Sequence, residues 1–249
     1  MFDIFKKKKP VITIPGSFPV TTDIHSHILP GIDDGSPDID TSLQLIKGMY
    51  ALGIRKCIAT PHIIGDLYRN NPLTINAALE KTKAACVSAG IDMELIAAAE
   101  YMLDDYFMEL LQQKQPLLTL HKNFLLTEFS YTMRPHNIDE MVFSIITGGY
   151  QPVLAHPERY FYFHGNMKEY QGLKELGFHL QVNLLSLTGY YGKDVAKAAK
   201  YILDNGLADL VGTDLHHERH LAALGKPENL VIFSRYLGTK VYNDLVKER

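Results

Sequence analysis

Cysteine is scarce in this chain, with only Cys57 and Cys86 among 249 residues. Two thiols cannot build a disulfide framework. Their scarcity points to a reducing compartment, the cytoplasm, and both read as small buried apolar side chains. No run of about 18 apolar residues occurs, so no membrane-spanning helix is expected. Neither sign of charge dominates: 25 Lys and Arg against 28 Asp and Glu leave a net charge of −3, which gives no general reason to expect nucleic acid as a partner. Linkers, repeats and low-complexity segments are missing too, which predicts a basic tail over 1–19 and one domain over 20–249. In the tail, Lys6–Lys9 precede Val11–Ile14, but Pro10, Pro15 and Pro19 interrupt any apolar core and no cleavage site follows, so a signal peptide is not expected. The four lysines read as a solvated segment or as a weak contact with an anionic membrane surface.

Short β-prone runs alternate with helical periodicity along the remainder. Val20–Ile24 reads as a first strand, followed by a loop over Leu29–Gly35. Ser36 is the expected N-cap, with Pro37 at the first position of a helix that runs to Gly53. Strands are expected at Lys56–Thr60, Met93–Ala98, Asn123–Thr127, Pro152–Ala155, Phe178–Asn183 and Asp209–Gly212. Helices are expected at Thr74–Ala89, Asp104–Gln113, Ile138–Thr147, Met167–Leu176, Asp194–Asp204 and Pro227–Lys247. Seven strands alternating with helices predict a parallel α/β architecture.

Six of the seven strands end in His, Asp or Glu. Asp23-Ile24-His25-Ser26-His27 places two imidazoles on one face, because residues i and i+2 of a strand point the same way. Thr60-Pro61-His62, Ala99-Glu100, Thr127-Glu128, Ala155-His156-Pro157 and Thr213-Asp214-Leu215-His216 follow later strands. In parallel barrels reactive groups gather at the C-terminal ends of the strands, whereas an open sheet concentrates them at one switch point. The distribution therefore predicts a closed barrel of about seven strands. Its candidate ligands are His25, His27, Asp34, His62, Glu100, Glu128, His156, Asp214 and His216. Each has a simpler reading as a hydrogen-bonded loop residue or a helix-start carboxylate, but all nine would have to take it at one face of the fold. Five imidazoles and four carboxylates without a thiolate suit manganese, iron or zinc, and nine ligands suit two or three ions of the kind used in phosphate ester hydrolysis.

Asp-Ile-His-Ser-His with Asp-Asp-Gly, Thr-Pro-His, Ala-His-Pro-Glu-Arg and Asp-Leu-His resembles the polymerase-and-histidinol-phosphatase superfamily. More closely, the chain resembles the manganese-dependent tyrosine-protein phosphatases of bacterial capsule and exopolysaccharide clusters, from about Thr22 to the final helix. The resemblance implies a distorted (β/α)7 barrel with a trinuclear site. His25, His27, Glu100 and Asp214 would hold one ion. Glu100 would bridge to a second, completed by Glu128 and His156, and Asp34, His62 and His216 would hold the third. Asp34 rather than Asp33 matches the family spacing, which leaves Asp33 behind the ligands or in solvent.

The resemblance also implies a phosphate-binding Arg159, three residues after His156. Arg134 is a second candidate, set against a reading as a surface charge, and Arg219 stays unassigned. A guanidinium grips phosphate oxygens in a fixed fork. An activated water would attack phosphorus in line while metals and arginines offset the charge on the equatorial oxygens. A phenolate leaves readily, and the sequence offers His136 or a water as general acid without choosing. Phe129, Tyr131, Tyr160, Phe161, Tyr162 and Phe163 read either as an aromatic rim for a phenyl ring or as loop packing. The implied substrate is phosphotyrosine in a protein, the tyrosine-rich tail of a bacterial tyrosine kinase. A small-molecule phosphatase acting on histidinol phosphate is the alternative. Cysteine-dependent tyrosine phosphatases are excluded, since Cys-x5-Arg is absent: Ile63 and Asp92 stand where the arginine would be. A lysine or glutamate on strand four with isolated histidines, the amidohydrolase pattern, fits less well. A non-catalytic phosphotyrosine binder would need a broken metal set.

Overall fold

The computed structural model describes residues 18–238 with 242 and 243. Lys6–Lys9, the expected membrane contact, and most of the 1–19 tail lie outside the described residues.

Among the described residues nine short strands and eight α-helices follow one another in the order β1 (Thr22–Asp23), α1 (Ile39–Leu52), β2 (Lys56–Ala59), β3 (His62–Ile63), α2 (Pro72–Ser88), β4 (Glu94–Ala97), β5 (Glu100–Met102), α3 (Asp105–Gln112), β6 (Phe124–Glu128), α4 (Ile138–Thr147), β7 (Gln151–Ala155), α5 (Glu169–Leu176), β8 (His179–Asn183), α6 (Lys193–Asp204), β9 (Ala208–Gly212), α7 (Glu218–Leu224) and α8 (Pro227–Leu237). All sheet pairings are parallel, in the orders β1-β2-β4 and β3-β5-β6-β7-β8-β9.

The two sheets follow seven strand paths. β2 and β3 are one path broken at Thr60-Pro61, and β4 and β5 are one path broken at Ala98-Ala99. Bonds from Ala98 N to Ala59 O (2.8 Å) and from Glu100 N to Pro61 O (3.1 Å) carry the pairing across both breaks. Beyond β9 the chain returns to the first strand: Asp214 N donates to His25 O at 2.8 Å and His27 N to Leu215 O at 2.9 Å. These bonds set the last strand's end beside the first.

Alternation along the strands separates an inner core from an outer one. Ile24, Ile58, Ala98, Phe124, Leu126, Val153, Ala155 and Leu210 form the inner cluster. Leu125, Leu154, Leu180, Val182 and Val211 face the helices. Since i and i+2 share a face, Phe124 and Leu126 carry Glu128 inward at the C-terminal end of β6. The same parity turns Gln181 and Asn183 inward on β8.

Three boundaries differ from the sequence reading. The N-cap of α1 is Asp38, which accepts from Thr41 N at 2.8 Å, while Ser36 is buried and receives the Ser42 hydroxyl. Helix α2 begins earlier, because Asn71 and Thr74 form a reciprocal capping box ahead of Pro72 at the first position. The helix expected over Pro227–Lys247 is described only to Leu237, and α7 precedes it.

Candidate metal centre

At the C-terminal edge of the strands, four overlapping groups of side chains place their donor atoms within 4.8 Å of one another. They are His27, Asp34, His62, His216; His25, His27, Glu100; His25, His156, Asp214; and His62, Glu100, Glu128. Together they contain the nine residues singled out from the sequence and no other. Glu100 lies at the middle. Its Oε2 is 3.2 Å from His25 Nε2, 3.4 Å from His27 Nε2 and 3.2 Å from His62 Nδ1, and its Oε1 is 3.0 Å from His156 Nε2.

The outward nitrogens fix the rings. His25 Nδ1 donates to Gln181 Oε1 at 2.8 Å, His27 Nδ1 to Asp33 Oδ2 at 2.8 Å, and His216 Nδ1 to the Asp214 carbonyl at 2.9 Å. Each bond commits the Nδ1 proton outward and turns an Nε2 lone pair into the site, the tautomer a metal ligand requires. The Nε2 atoms of His25 and His27 then face each other at 3.2 Å. Two lone pairs at that distance need a proton or a metal ion between them. Asp33 is thus placed behind His27. Burial opposes its ionisation, but the His27 imidazole and the Gly35 amide hold its pKa down to about 2.

The residues fit divalent ions on a further observation. Glu100 Oε2, Glu128 Oε1 and His62 Nδ1 are buried without a hydrogen-bond partner and converge on one another, with His62 Nδ1 2.9 Å from Glu128 Oε1. Buried polar atoms left unpartnered are costly, and a cation coordinated by all three would satisfy them. Burial raises the carboxyl pKa of Glu100 and Asp214, yet the surrounding imidazoles outweigh it and hold both well below the usual carboxylate range. The site is therefore built for positive charge. The grouping departs from the expected one: His156 joins His25 and Asp214 instead of Glu128, and His27 joins Asp34, His62 and His216. His62 turns Nε2 toward Asp34 (3.4 Å) and Nδ1 toward Glu100 and Glu128, so it spans two of the groups.

Local backbone is adapted to the site. His156 (φ 35°) and Asp214 (φ 51°) both occupy the left-handed region, which L-residues with a side chain rarely adopt. Gly35 is held against His27, and a Cβ there would stand 2.0 Å from the His27 carbonyl oxygen. The Asp-Asp-Gly turn can therefore close over His27 only with glycine at its third position.

Arg159 borders the cluster. Its Nη1 donates to Asp214 Oδ2 at 2.7 Å, and its guanidinium lies 4.9 Å from the ring of Tyr131 and 4.6 Å from that of Tyr191. Arg134 and His136 stand elsewhere. Arg134 is paired with Glu169 at 3.0 Å, and both line a groove of about 470 Å³ between the β6–α4 loop and α5. Among the described residues neither contacts the nine. The aromatic segment divides. Phe129, Tyr160 and Phe163 are fully buried and pack beneath the loops, which decides between the two readings for them, whereas Tyr131 and Phe161 reach the surface.

Several residues with clear roles were missed in the sequence. Gln181 Nε2 donates to Asn183 Oδ1 at 2.9 Å, and Asn183 Nδ2 donates to Asp214 Oδ2 at 2.7 Å, which completes a chain from His25 to Asp214. Glu158 is fully buried and accepts from Asn183 N (2.9 Å) and Ser186 Oγ (2.7 Å), locking the Pro157–Arg159 turn to the end of β8. The available signal was a pair of amides two residues apart, on the face of β8 opposite Leu180 and Val182.

Parallel strands with imidazoles and carboxylates clustered at their C-terminal edge are the arrangement of barrel-type metal-dependent hydrolases. The chain belongs to the CpsB/CapC family of capsular polysaccharide synthesis, whose sequence model it matches over residues 21–246. It is 29% identical over 195 residues to the tyrosine-protein phosphatase YwqE of Bacillus subtilis, covering 78% of this chain and 77% of that one. It is 28% identical to the tyrosine-protein phosphatase CpsB of Streptococcus pneumoniae, covering 78% and 82%. A solved structure from work on YwqE and CpsB, described as unique metal-dependent tyrosine phosphatases, superposes with a TM-score of 0.78 at 27% identity, covering 88% of each chain. A histidinol phosphate phosphatase from Lactococcus lactis, with TM-score 0.52 and 11% identity over 89% of this chain and 95% of that one, shares the fold alone.

Proposed function

We propose that this protein is a metal-dependent protein-tyrosine phosphatase. The observation that carries the reading is the convergence of nine imidazole and carboxylate side chains, three of their buried atoms unpartnered, beside a guanidinium held on Asp214. His25, His27, Asp34, His62, Glu100, Glu128, His156, Asp214 and His216 are assigned to two or three divalent ions, with manganese as the resident metal. When bound, such ions supply an activated water and positive charge for phosphoryl transfer.

The chain's own groups do the rest. Arg159 keeps one N–H on Asp214, and its remaining N–H groups take equatorial phosphate oxygens. Tyr131 and Tyr191 place their rings against its guanidinium and help to hold it in place. The Gln181–Asn183 chain and Asp33 fix the imidazole orientations. A tyrosine leaving group has a reference pKa of about 10, so its phenolate departs with little protonation. Arg134 and His136 sit outside the nine, and their exposed positions suit contact with the peptide around the phosphotyrosine. The substrate assigned is a tyrosine-phosphorylated protein in the cytoplasm, the tail of a bacterial tyrosine kinase of the capsule system.

The test is a side-by-side measurement of kcat/KM in manganese on a phosphotyrosine peptide, its phosphoserine analogue and histidinol phosphate. The phosphotyrosine peptide should lead clearly. Preference for histidinol phosphate would retire the protein-phosphatase reading.

A further inference from the structure

Helix α6 packs against both the Pro157–Arg159 turn and the turn over Leu184–Thr188. Between α6 and the end of the second turn runs a groove of about 580 Å³ lined by Thr188, Gly189, Lys193, Lys197, Lys200 and Tyr201, with Asp204 closing its far end. Lysines at i, i+4 and i+7 lie along one helix face. Among the described residues none of the three is paired with a carboxylate. On a chain of net charge −3, three unpaired ammonium groups on one wall are a local reversal of the protein's sign.

The groove lies close in the chain to the residues around Arg159. Gly189, on its wall, is two residues from Tyr191, whose ring lies 4.6 Å from the Arg159 guanidinium. Two Cα steps span at most about 7.6 Å. The N-terminus of α6 also follows β8, so Lys193 sits at the same edge as the C-terminal ends of the strands.

We propose that this groove binds an acidic segment of the substrate, next to the phosphotyrosine held at Arg159. This inference rests on the phosphatase reading above and adds a sequence preference to it. Lys193 to Lys200 covers about 10.5 Å of helix, and an extended peptide rises about 3.3 Å per residue. The three lysines therefore match carboxylates spread over about four positions, beginning a few residues from the phosphotyrosine. Ammonium groups are hydrated point charges without a fixed fork, so the groove reads the sign of the segment and not a unique sequence. The attraction is exposed and weakens with salt.

The test compares the manganese-loaded full chain with its K193Q/K197Q/K200Q variant. Substrates are p-nitrophenyl phosphate and two phosphotyrosine peptides, one flanked by Glu and one by Gln. A labelled, unphosphorylated Glu-rich peptide is followed separately by fluorescence anisotropy. The wild type should favour the Glu-flanked peptide about tenfold at low salt through KM, and the variant should lose that preference while hydrolysing p-nitrophenyl phosphate normally. The labelled peptide should bind the wild type and not the variant. A preference retained by the variant, or absent from the wild type, overturns the proposal. So does binding of anionic phospholipid vesicles without binding of the peptide. If the wild type turns over p-nitrophenyl phosphate but neither phosphopeptide, the protein-phosphatase reading fails, no peptide preference is defined, and the anisotropy result alone decides for or against the groove.

Discussion

Gln181 and Asn183, side by side on the inner face of β8, are hydrogen-bonded to each other at 2.9 Å while the first holds His25 and the second holds Asp214. The one strand that ends in no histidine or carboxylate thus orients ligands contributed by its neighbours. Gln181→Leu removes the acceptor for His25 Nδ1 and leaves that N–H buried and unpaired. Loss of such an outer partner typically costs about 10–100-fold in metal affinity or activity. Metal analysis after dialysis should show a lowered manganese content in a folded chain. Full retention would mean that the amide chain plays no part in holding metal.

Glu100 contacts His25, His27, His62 and His156 from the centre of the cluster. Glu100→Gln nearly conserves shape but removes the charge that two cations would share. Its effect should exceed the roughly 10–100-fold that losing an outer partner costs, with metal stoichiometry falling alongside turnover. Circular dichroism should be unchanged, since the core is built from other residues. Near-normal activity with full metal would rule out a central role for this carboxylate.

Arg159 carries two separable requirements, its fork and its stacking. Arg159→Lys keeps charge but loses the fork. At about 1.5–3 kcal/mol for a hydrogen bond to a charged group, kcat/KM should fall roughly 10–100-fold. Metal content should stay unchanged, and loss of metal instead would mark a structural residue.

Tyr191 faces the same guanidinium, and its hydroxyl lies 3.5 Å from His220 Nε2. Tyr191→Phe preserves the stack and should keep most activity. Tyr191→Ala should lose about 2–30-fold in kcat/KM, the range expected from a cation–π contact of about 0.5–2 kcal/mol. Equal losses in the two variants would show that the hydroxyl matters and not the ring.

Away from the site, Asp209 accepts from Leu180 N at 2.8 Å and from Lys174 Nζ, and faces His179. Burial raises its carboxyl pKa, but these partners outweigh it and lower the folded value below 3.8. The unfolded chain binds the proton more readily, so this stabilisation is present above about pH 4 and disappears as pH falls through the lower folded value. Melting temperatures of wild type and Asp209→Asn should differ at pH 7 and converge toward pH 3. A constant gap across that range would show that ionisation of Asp209 contributes nothing.

The alternation of strands and helices was legible because each buried parallel strand is a short apolar run, and six of them end in residues that seldom close such runs. Eight of the nine clustered side chains were legible for the same reason, while Asp34, in a loop, was preferred to Asp33 only on the family spacing. Gln181 was not, because its partner His25 is 156 positions away and an amide on a strand announces no chemistry. The break at Ala98-Ala99 carries neither proline nor glycine to mark it. Helix α7 is seven residues long, too short for its periodicity to register. The aromatic segment stayed open between rim and packing because Tyr160, Phe161 and Phe163 stand close together in sequence, and the structure buries the first and third and exposes the second.

The left-handed backbone at His156 and Asp214 bears on how this protein would respond to engineering. A side chain held in that region costs on the order of 1–3 kcal/mol, which the surrounding fold must absorb. Glycine at either position would relieve the cost and remove a ligand in the same step. A selection for heat resistance alone should therefore drift toward glycine at both places, and a selection for turnover should drive it out again. The two residues mark where this barrel forgoes durability to keep its chemistry.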